Sequence, residues 1–167
     1  AEFLFDSVSR YLPNQYISIS VIASGSIDIL KWDFGDNSAI VLNQQTPTHT
    51  YSIYGSYITK LIAISDHNCS DTITHTVIVH PLPVPLFTFN DTCLNDTTWF
   101  VNSSSIPTGI ISSFLWDFGD NSSSALISPW HVYSGFDTFT VKLTAFSGYG
   151  CIDSLTKNAN VFPLHVA

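Results

Sequence analysis

The chain has 167 residues, of which 45% are hydrophobic and 14% aromatic but only 11% charged, with a net charge of −8. Such a composition can bury a core and is far from a disordered one, while five lysines and arginines in total exclude a nucleic-acid or anionic-membrane partner. No apolar run of about 18 residues is present, so insertion into a membrane as a helix is excluded too.

Taken in order, the apolar residues follow a period of two rather than 3.6, which points to strands throughout. Phe3-Leu4-Phe5 and Asn14 to Ala23 are the first strand candidates, and Ser24-Gly25-Ser26 is a turn. Ile27 to Phe34 sets Leu30, Trp32 and Phe34 on one side, and then Gly35-Asp36-Asn37-Ser38 stops it with turn chemistry. Ile40 to Leu42 is a short strand and Gln44 to Pro47 a loop. Ser56 to Ser65 alternates, with Tyr57, Thr59, Leu61 and Ala63 on one side and Ile58, Lys60, Ile62 and Ile64 on the other. Asp66 to Ser70 is a turn, and Thr72 to Val79 a closing strand.

Pro81-Leu82-Pro83-Val84-Pro85 pairs poorly in a sheet centre and favours a stiff, extended connection. A domain boundary is placed there, giving residues 1–83 and 84–167. Beyond it the plan recurs: Phe87-Thr88-Phe89, Trp99 to Val101, Ser112 to Phe118, Thr138 to Phe146 and Ser154 to Phe162. Trp32-Asp33-Phe34-Gly35-Asp36-Asn37-Ser38 itself returns unchanged as Trp116 to Ser122, 84 residues later, with Phe114 in the place of Leu30. A seven-residue identity at a fixed offset marks a tandem repeat, and Trp32, Phe34, Trp116 and Phe118 are its expected core anchors. The absence of Met and the match of the two ends to one register lead to the expectation of a processed chain or an excerpt of a longer array, or a protomer that stacks end to end.

Trp-Asp-Phe-Gly-Asp, followed by Pro47-x-His49-x-Tyr51 and Gly55-x-Tyr57, resembles the PKD domain, and Pro129-Trp130-His131-Val132-Tyr133 with Phe139 supplies the second copy. The second copy departs at one point: Asp137 stands in the place of Gly55, and Gly135 comes two residues earlier. The resemblance covers essentially the whole chain, twice. It implies an all-β chain of two tandem Ig-like β-sandwiches, of the kind found in bacterial surface proteins, secreted or at the cell surface. It also implies a disulfide between Cys93 and Cys151. Cys69 is the first-copy counterpart of Cys151, but its partner position holds Ser9. Its alternatives are the spare half of a lost pair, a free thiol, or a bridge to another chain.

No catalytic or metal set can be assembled from the remaining residues. Asp33, Asp36, Asp117 and Asp120 could form a calcium site or an acid pair, but the spacing is not that of an EF-hand loop, and an acid beside a glycine turn is an expected backbone cap. The six histidines lack metal-ligand spacing, and His49 and His131 are equivalent positions with an expected role in the fold. No cofactor is expected, and calcium is not supported.

Modification signals are denser. Asn-x-Ser/Thr occurs at Asn68, Asn90, Asn95, Asn102 and Asn121. Asp6-Ser7-Val8, Asp71-Thr72-Ile73 and Asp153-Ser154-Leu155 resemble a bacterial O-glycosylation signal at Ser7, Thr72 and Ser154, although Asp-Thr also opens strands. Attached glycans would wet so weakly charged a surface. Ile58, Ile62 and Ile64 form an outward apolar row where the second copy carries Thr140, Thr144 and Phe146, and they are the expected interface with the other domain or another subunit. Two functions fit: a stiff, glycosylated structural or adhesive unit of an extracellular fibre or surface array, whose partners are copies of itself or neighbouring repeats, or an accessory module of a secreted enzyme that binds a polysaccharide or protein. The second needs an exposed aromatic platform, for which Trp99 and Trp130 are the candidates.

Overall fold

A computed structural model describes residues 1–5, 8–9, 14–21 and 25–164, with the backbone alone for residues 8, 9 and 14. Among them every regular element is a strand. The chain divides into two compact units, Ala1–Pro81 and Leu82–Ala167. The second begins slightly ahead of the boundary expected at residue 84 because Val84, flanked by prolines, keeps a usable amide. Its N–H donates to the Ser105 carbonyl at 2.7 Å and its carbonyl accepts from Ser105 N–H at 3.1 Å, which ties it to the second unit.

Unit 1 is a two-layer sandwich. The strands are β1 (Phe3–Phe5), β2 (Val8–Ser9), β3 (Asn14–Ser18), β4 (Ile27–Asp33), β5 (Val41–Leu42), β6 (Thr48–His49), β7 (Gly55–Ser65) and β8 (Ser70–His80). One sheet runs β1-β3-β6 and the other β2-β8-β7-β4-β5, with β2 parallel to the end of β8. The centre of the larger sheet places Trp32 opposite Leu61 and Leu61 opposite Ile73. Strand alternation then sends Leu30, Trp32, Thr59, Leu61 and Ala63 inward, where all are buried. Phe3, Tyr16, Phe34, Tyr51, Val77 and Val79 complete the core; burying side chains of this size contributes about 1.5–3 kcal/mol each.

Unit 2 repeats the plan with β9 (Phe87–Thr88), β10 (Thr92–Cys93), β11 (Thr97–Trp99), β12 (Val101–Asn102), β13 (Ile111–Asp117), β14 (Ser123–Ser124), β15 (Trp130–Val132), β16 (Thr138–Ser147) and β17 (Ile152–Phe162). Its large sheet is β10-β17-β16-β13-β14. The other layer is split into the pairs β9–β12 and β11–β15, joined through Phe100, whose N–H donates to the Pro129 carbonyl at 2.9 Å. Asp137, where the first copy has Gly55, needs no glycine: its carbonyl accepts from Val161 N–H at 2.9 Å, carrying on the ladder.

Each central indole is held in the same way. Trp32 meets the Phe3 ring edge-on at 5.2 Å and donates from Nε1 to the Gln44 carbonyl at 2.8 Å. Trp116 meets Phe87 at 5.1 Å and donates to the Leu126 carbonyl at 2.9 Å. The buried indole therefore keeps its one polar group satisfied, which is the condition for burying it at all.

The strand expected from Asn14 to Ala23 ends at Ser18, with residues 22–24 outside those described. The implied Cys93–Cys151 disulfide is not formed. Cys93 is a free, exposed thiol paired in register with Phe162 at one end of β17, whereas Cys151 is buried just ahead of Ile152 at the other end. Eleven strand residues separate those ends, or about 35 Å at the usual rise, against a Cα limit of about 7 Å for a bridge. Matching positions between the two copies aligned the cysteines correctly but did not show at which end of the sandwich each stands.

Candidate functional site

The repeated Trp-Asp-Phe-Gly-Asp segment leaves β4 and turns toward β6, where its polar groups meet the histidine of Pro-x-His-x-Tyr. Asp33 Oδ1 accepts from Gly35 N–H at 3.0 Å and Asp36 Oδ1 from Ser38 N–H at 3.1 Å. The other oxygen of Asp36 accepts from His49 Nε2 at 2.8 Å. His49 lies flat on Phe34, with centroids 4.1 Å apart and planes within 3°, and meets Tyr51 edge-on at 4.6 Å. Tyr51 in turn donates to the Phe34 carbonyl at 3.1 Å and stacks on Tyr57 at 4.4 Å.

Unit 2 builds the same cluster. Asp117 accepts from Gly119 N–H and Asp120 from Ser122 N–H, each at 3.0 Å. Asp120 Oδ2 accepts from His131 Nε2 at 2.7 Å. His131 lies on Phe118 at 4.4 Å, and Tyr133 donates to the Phe118 carbonyl at 3.1 Å and stacks on Phe139 at 4.2 Å. The glycine is required twice over. Gly35 and Gly119 have φ of 78° and 83°, and a Cβ on them would fall 2.5 Å from the Ile58 carbonyl oxygen and 2.8 Å from that of Thr140. Any side chain there pushes the turn off the neighbouring strand.

Burial alone would raise the Asp36 and Asp120 carboxyls. Hydrogen bonds from Ser38 and then His49, and from Ser122 and then His131, outweigh it and hold both below the ordinary value of 3.8. Burial pushes the Tyr16 and Tyr51 phenols upward, and burial followed by the Asp120 charge does the same to Tyr133, so all three remain protonated donors. Unit 1 adds hydroxyls: Tyr51 Oη lies 3.1 Å from Tyr16 Oη and 3.0 Å from Thr59 Oγ1. With its single proton on the Phe34 carbonyl, the Tyr51 oxygen can accept from both. The matching places in unit 2 are Phe100 and Val141.

Every repeated acid, imidazole and phenol is thus bonded within its own turn and the strand beside it. The four aspartates do not converge: Asp33 and Asp117 cap one amide each, and Asp36 and Asp120 hold a histidine. Among the described residues no group of three or more His, Cys, Asp or Glu comes together as a metal set.

The sequence profile of the PKD domain matches residues 13–79 and 81–162. The chain belongs to the PKD domain family. Domains of this family are typically non-catalytic modules. The PKD1 domain of Vibrio anguillarum Epp is 26% identical over 50% of this chain and 96% of its own, with a TM-score of 0.47. The PKD1 domain of the Vibrio cholerae metalloprotease PrtV is 30% identical over 48% of this chain and 98% of its own, with a TM-score of 0.46. A structure described as the basis of promiscuous specificity in carbohydrate-binding modules of the β-sandwich superfamily is 26% identical over 49% of this chain and 35% of its own, with a TM-score of 0.48.

The modification candidates on the two PKD domains differ in access. Asn68, Asn90, Asn95 and Asn121 are exposed, three of them in left-handed turns, and Thr72 and Ser154 are exposed on strand faces. Ser7 lies outside the described residues. Asn102 is a correction: its Oδ1 accepts from Ser104 N–H at 2.9 Å, and its Nδ2, the atom a glycan would occupy, is buried. Period-two alternation turns Asn102 toward the layer interior, which the tripeptide pattern could not show. Of the isoleucine row, Ile58 is 65% exposed, whereas Ile62 and Ile64 are half-buried within their own sheet, beside Lys31 and Ile29. Exposed Ile78 and Leu42 stand on the same face.

Proposed function

We propose that this PKD pair is a non-catalytic structural or adhesive module, a repeating unit of a glycosylated extracellular fibre or cell-surface array. The observation that carries the reading is the use of Asp36 with His49, and of Asp120 with His131, as internal braces at equivalent places in both domains. Groups that elsewhere hold a metal or move a proton are engaged here in fixing a turn to a strand. The proline-rich connection supports a stiff join, and the exposed Asn68, Asn90, Asn95, Asn121, Thr72 and Ser154 offer attachment points for glycans. The Ile58 face is the surface that meets another copy.

Electron microscopy of the native material tests this reading. Long regular fibres or a continuous surface array are the expected result. Dispersed single chains of bare polypeptide mass would overturn it.

A further inference from the structure

In the smaller layer of unit 2, Trp99 of β11 stands directly opposite Trp130 of β15. Alternation turns Thr98 and Phe100 inward, both buried, and leaves Trp99 and Trp130 outward at 63% and 57% exposure. The next pair on the same face is Thr97 opposite Val132, also outward. Two tryptophans side by side in water need an explanation, and the first domain shows that the fold does not supply one. There the pair one step from His49 in the register is Gln15 opposite Thr48, just as Trp99 opposite Trp130 is one step from Thr98 opposite His131. The same sheet is built without either indole.

We propose that Trp99 and Trp130 form a binding platform for a neutral polysaccharide whose pyranose rings carry equatorial hydroxyls. Such rings present an apolar C–H face that lies flat on an indole, with hydroxyls around the rim. Trp32 and Trp116 donate their Nε1–H to backbone carbonyls, whereas no described residue accepts from Trp99 or Trp130, leaving two donors for ligand hydroxyls. Exposed Thr97, two residues along β11 from Trp99, adds a hydroxyl on the same face. The lysines of unit 2, Lys142 and Lys157, both stand on the other sheet, and Lys157 Nζ donates to the Phe87 carbonyl at 2.6 Å. Among the described residues no lysine or arginine of unit 2 stands on this face to hold an anion, and the net charge of −8 repels one. The area also favours a sugar over a second copy of the chain. Two indoles this exposed present about 300 Å², well short of the roughly 800 Å² per partner of a stable protein interface, while two or three pyranose rings cover it.

The test is titration of the unglycosylated 167-residue chain with cellohexaose and with chitohexaose, read by tryptophan fluorescence and calorimetry, against the variant Trp99→Gln/Trp130→Thr. That variant carries the residues the first domain has at these places, so its melting temperature reports whether it is folded; the two single variants carry the test if it is not. Binding of either sugar by the parent, weakened more than about tenfold in a folded variant, is the expected result. No binding of either sugar at millimolar concentration overturns the proposal, as does binding that survives the substitutions. Self-association of the parent that the substitutions abolish, without sugar binding, overturns it in favour of a second copy. The proposal stands apart from the fibre reading: fibres without sugar binding remove this inference alone.

Discussion

His49 donates from Nε2 to Asp36 at 2.8 Å while its ring lies within 3° of the plane of Phe34, so one imidazole locks a turn electrostatically and by stacking. His131 does the same to Asp120 and Phe118. Because both carboxyls sit below 3.8 in the folded chain, their contribution is complete above that unfolded value and is lost as pH falls through the lower, folded one. Urea midpoints followed from about pH 6 to about pH 2.5 fall steeply on the acid side. In Asp36→Asn/Asp120→Asn that acid slope is shallower. Parallel curves for the two chains would contradict the assignment.

Gly35→Ala and Gly119→Ala each cost about 1–3 kcal/mol or more, because strain at positive φ adds to a collision with the Ile58 or Thr140 carbonyl. Equilibrium unfolding measures it. Gly135→Ala, with nothing within 4 Å of the added carbon and no positive φ, is the control and leaves stability nearly unchanged.

The buried hydroxyls make the two domains unequal. Tyr51→Phe removes the acceptor that serves both Tyr16 and Thr59, whereas Tyr133→Phe affects only the Phe118 carbonyl. The first substitution therefore destabilises its domain by about 1 kcal/mol or more beyond the second. Equal losses in urea unfolding would show that the hydroxyl cluster contributes nothing.

Peptide mapping of the unreduced chain yields no Cys93–Cys151 crosslink, and a thiol reagent labels exposed Cys69 and Cys93 without unfolding. A recovered crosslinked peptide would contradict the placement of the two residues at opposite ends of β17.

Glycopeptide analysis of the native protein finds Asn102 unmodified, since its amide nitrogen is enclosed. A glycan there would mean that β12 does not adopt the described pairing.

What could be read from the residues was whatever recurs or alternates over a long stretch. The repeat around Trp32 and Trp116 shows as a seven-residue identity, and the inward set Thr59, Leu61 and Ala63 follows from a period of two along the eleven residues of β7. The two-residue strands Val8–Ser9, Thr48–His49, Thr92–Cys93 and Ser123–Ser124 are too short to carry a period and exist through their partners. The bond of Asp36 to His49 was equally hidden, because it depends on β6 joining β3 and bringing Pro-x-His-x-Tyr beside the turn. The glycine turn at Gly35 made a cap readable at Asp33 and at Asp36, but not the second role of Asp36. Trp99 and Trp130 were visible as candidates, yet only strand register sets them opposite each other on one face of the sheet.

The central claim is that the repeated acids and imidazoles brace the fold. A double-mutant cycle on Asp36→Ala and His49→Ala, repeated on Asp120→Ala and His131→Ala, measures this most directly by equilibrium unfolding. Each single change is expected to cost about 1–3 kcal/mol, with a favourable coupling of about 1 kcal/mol or more in both domains. Variants that fold with the parent's stability and show no coupling would mean that these side chains are kept for something other than the fold.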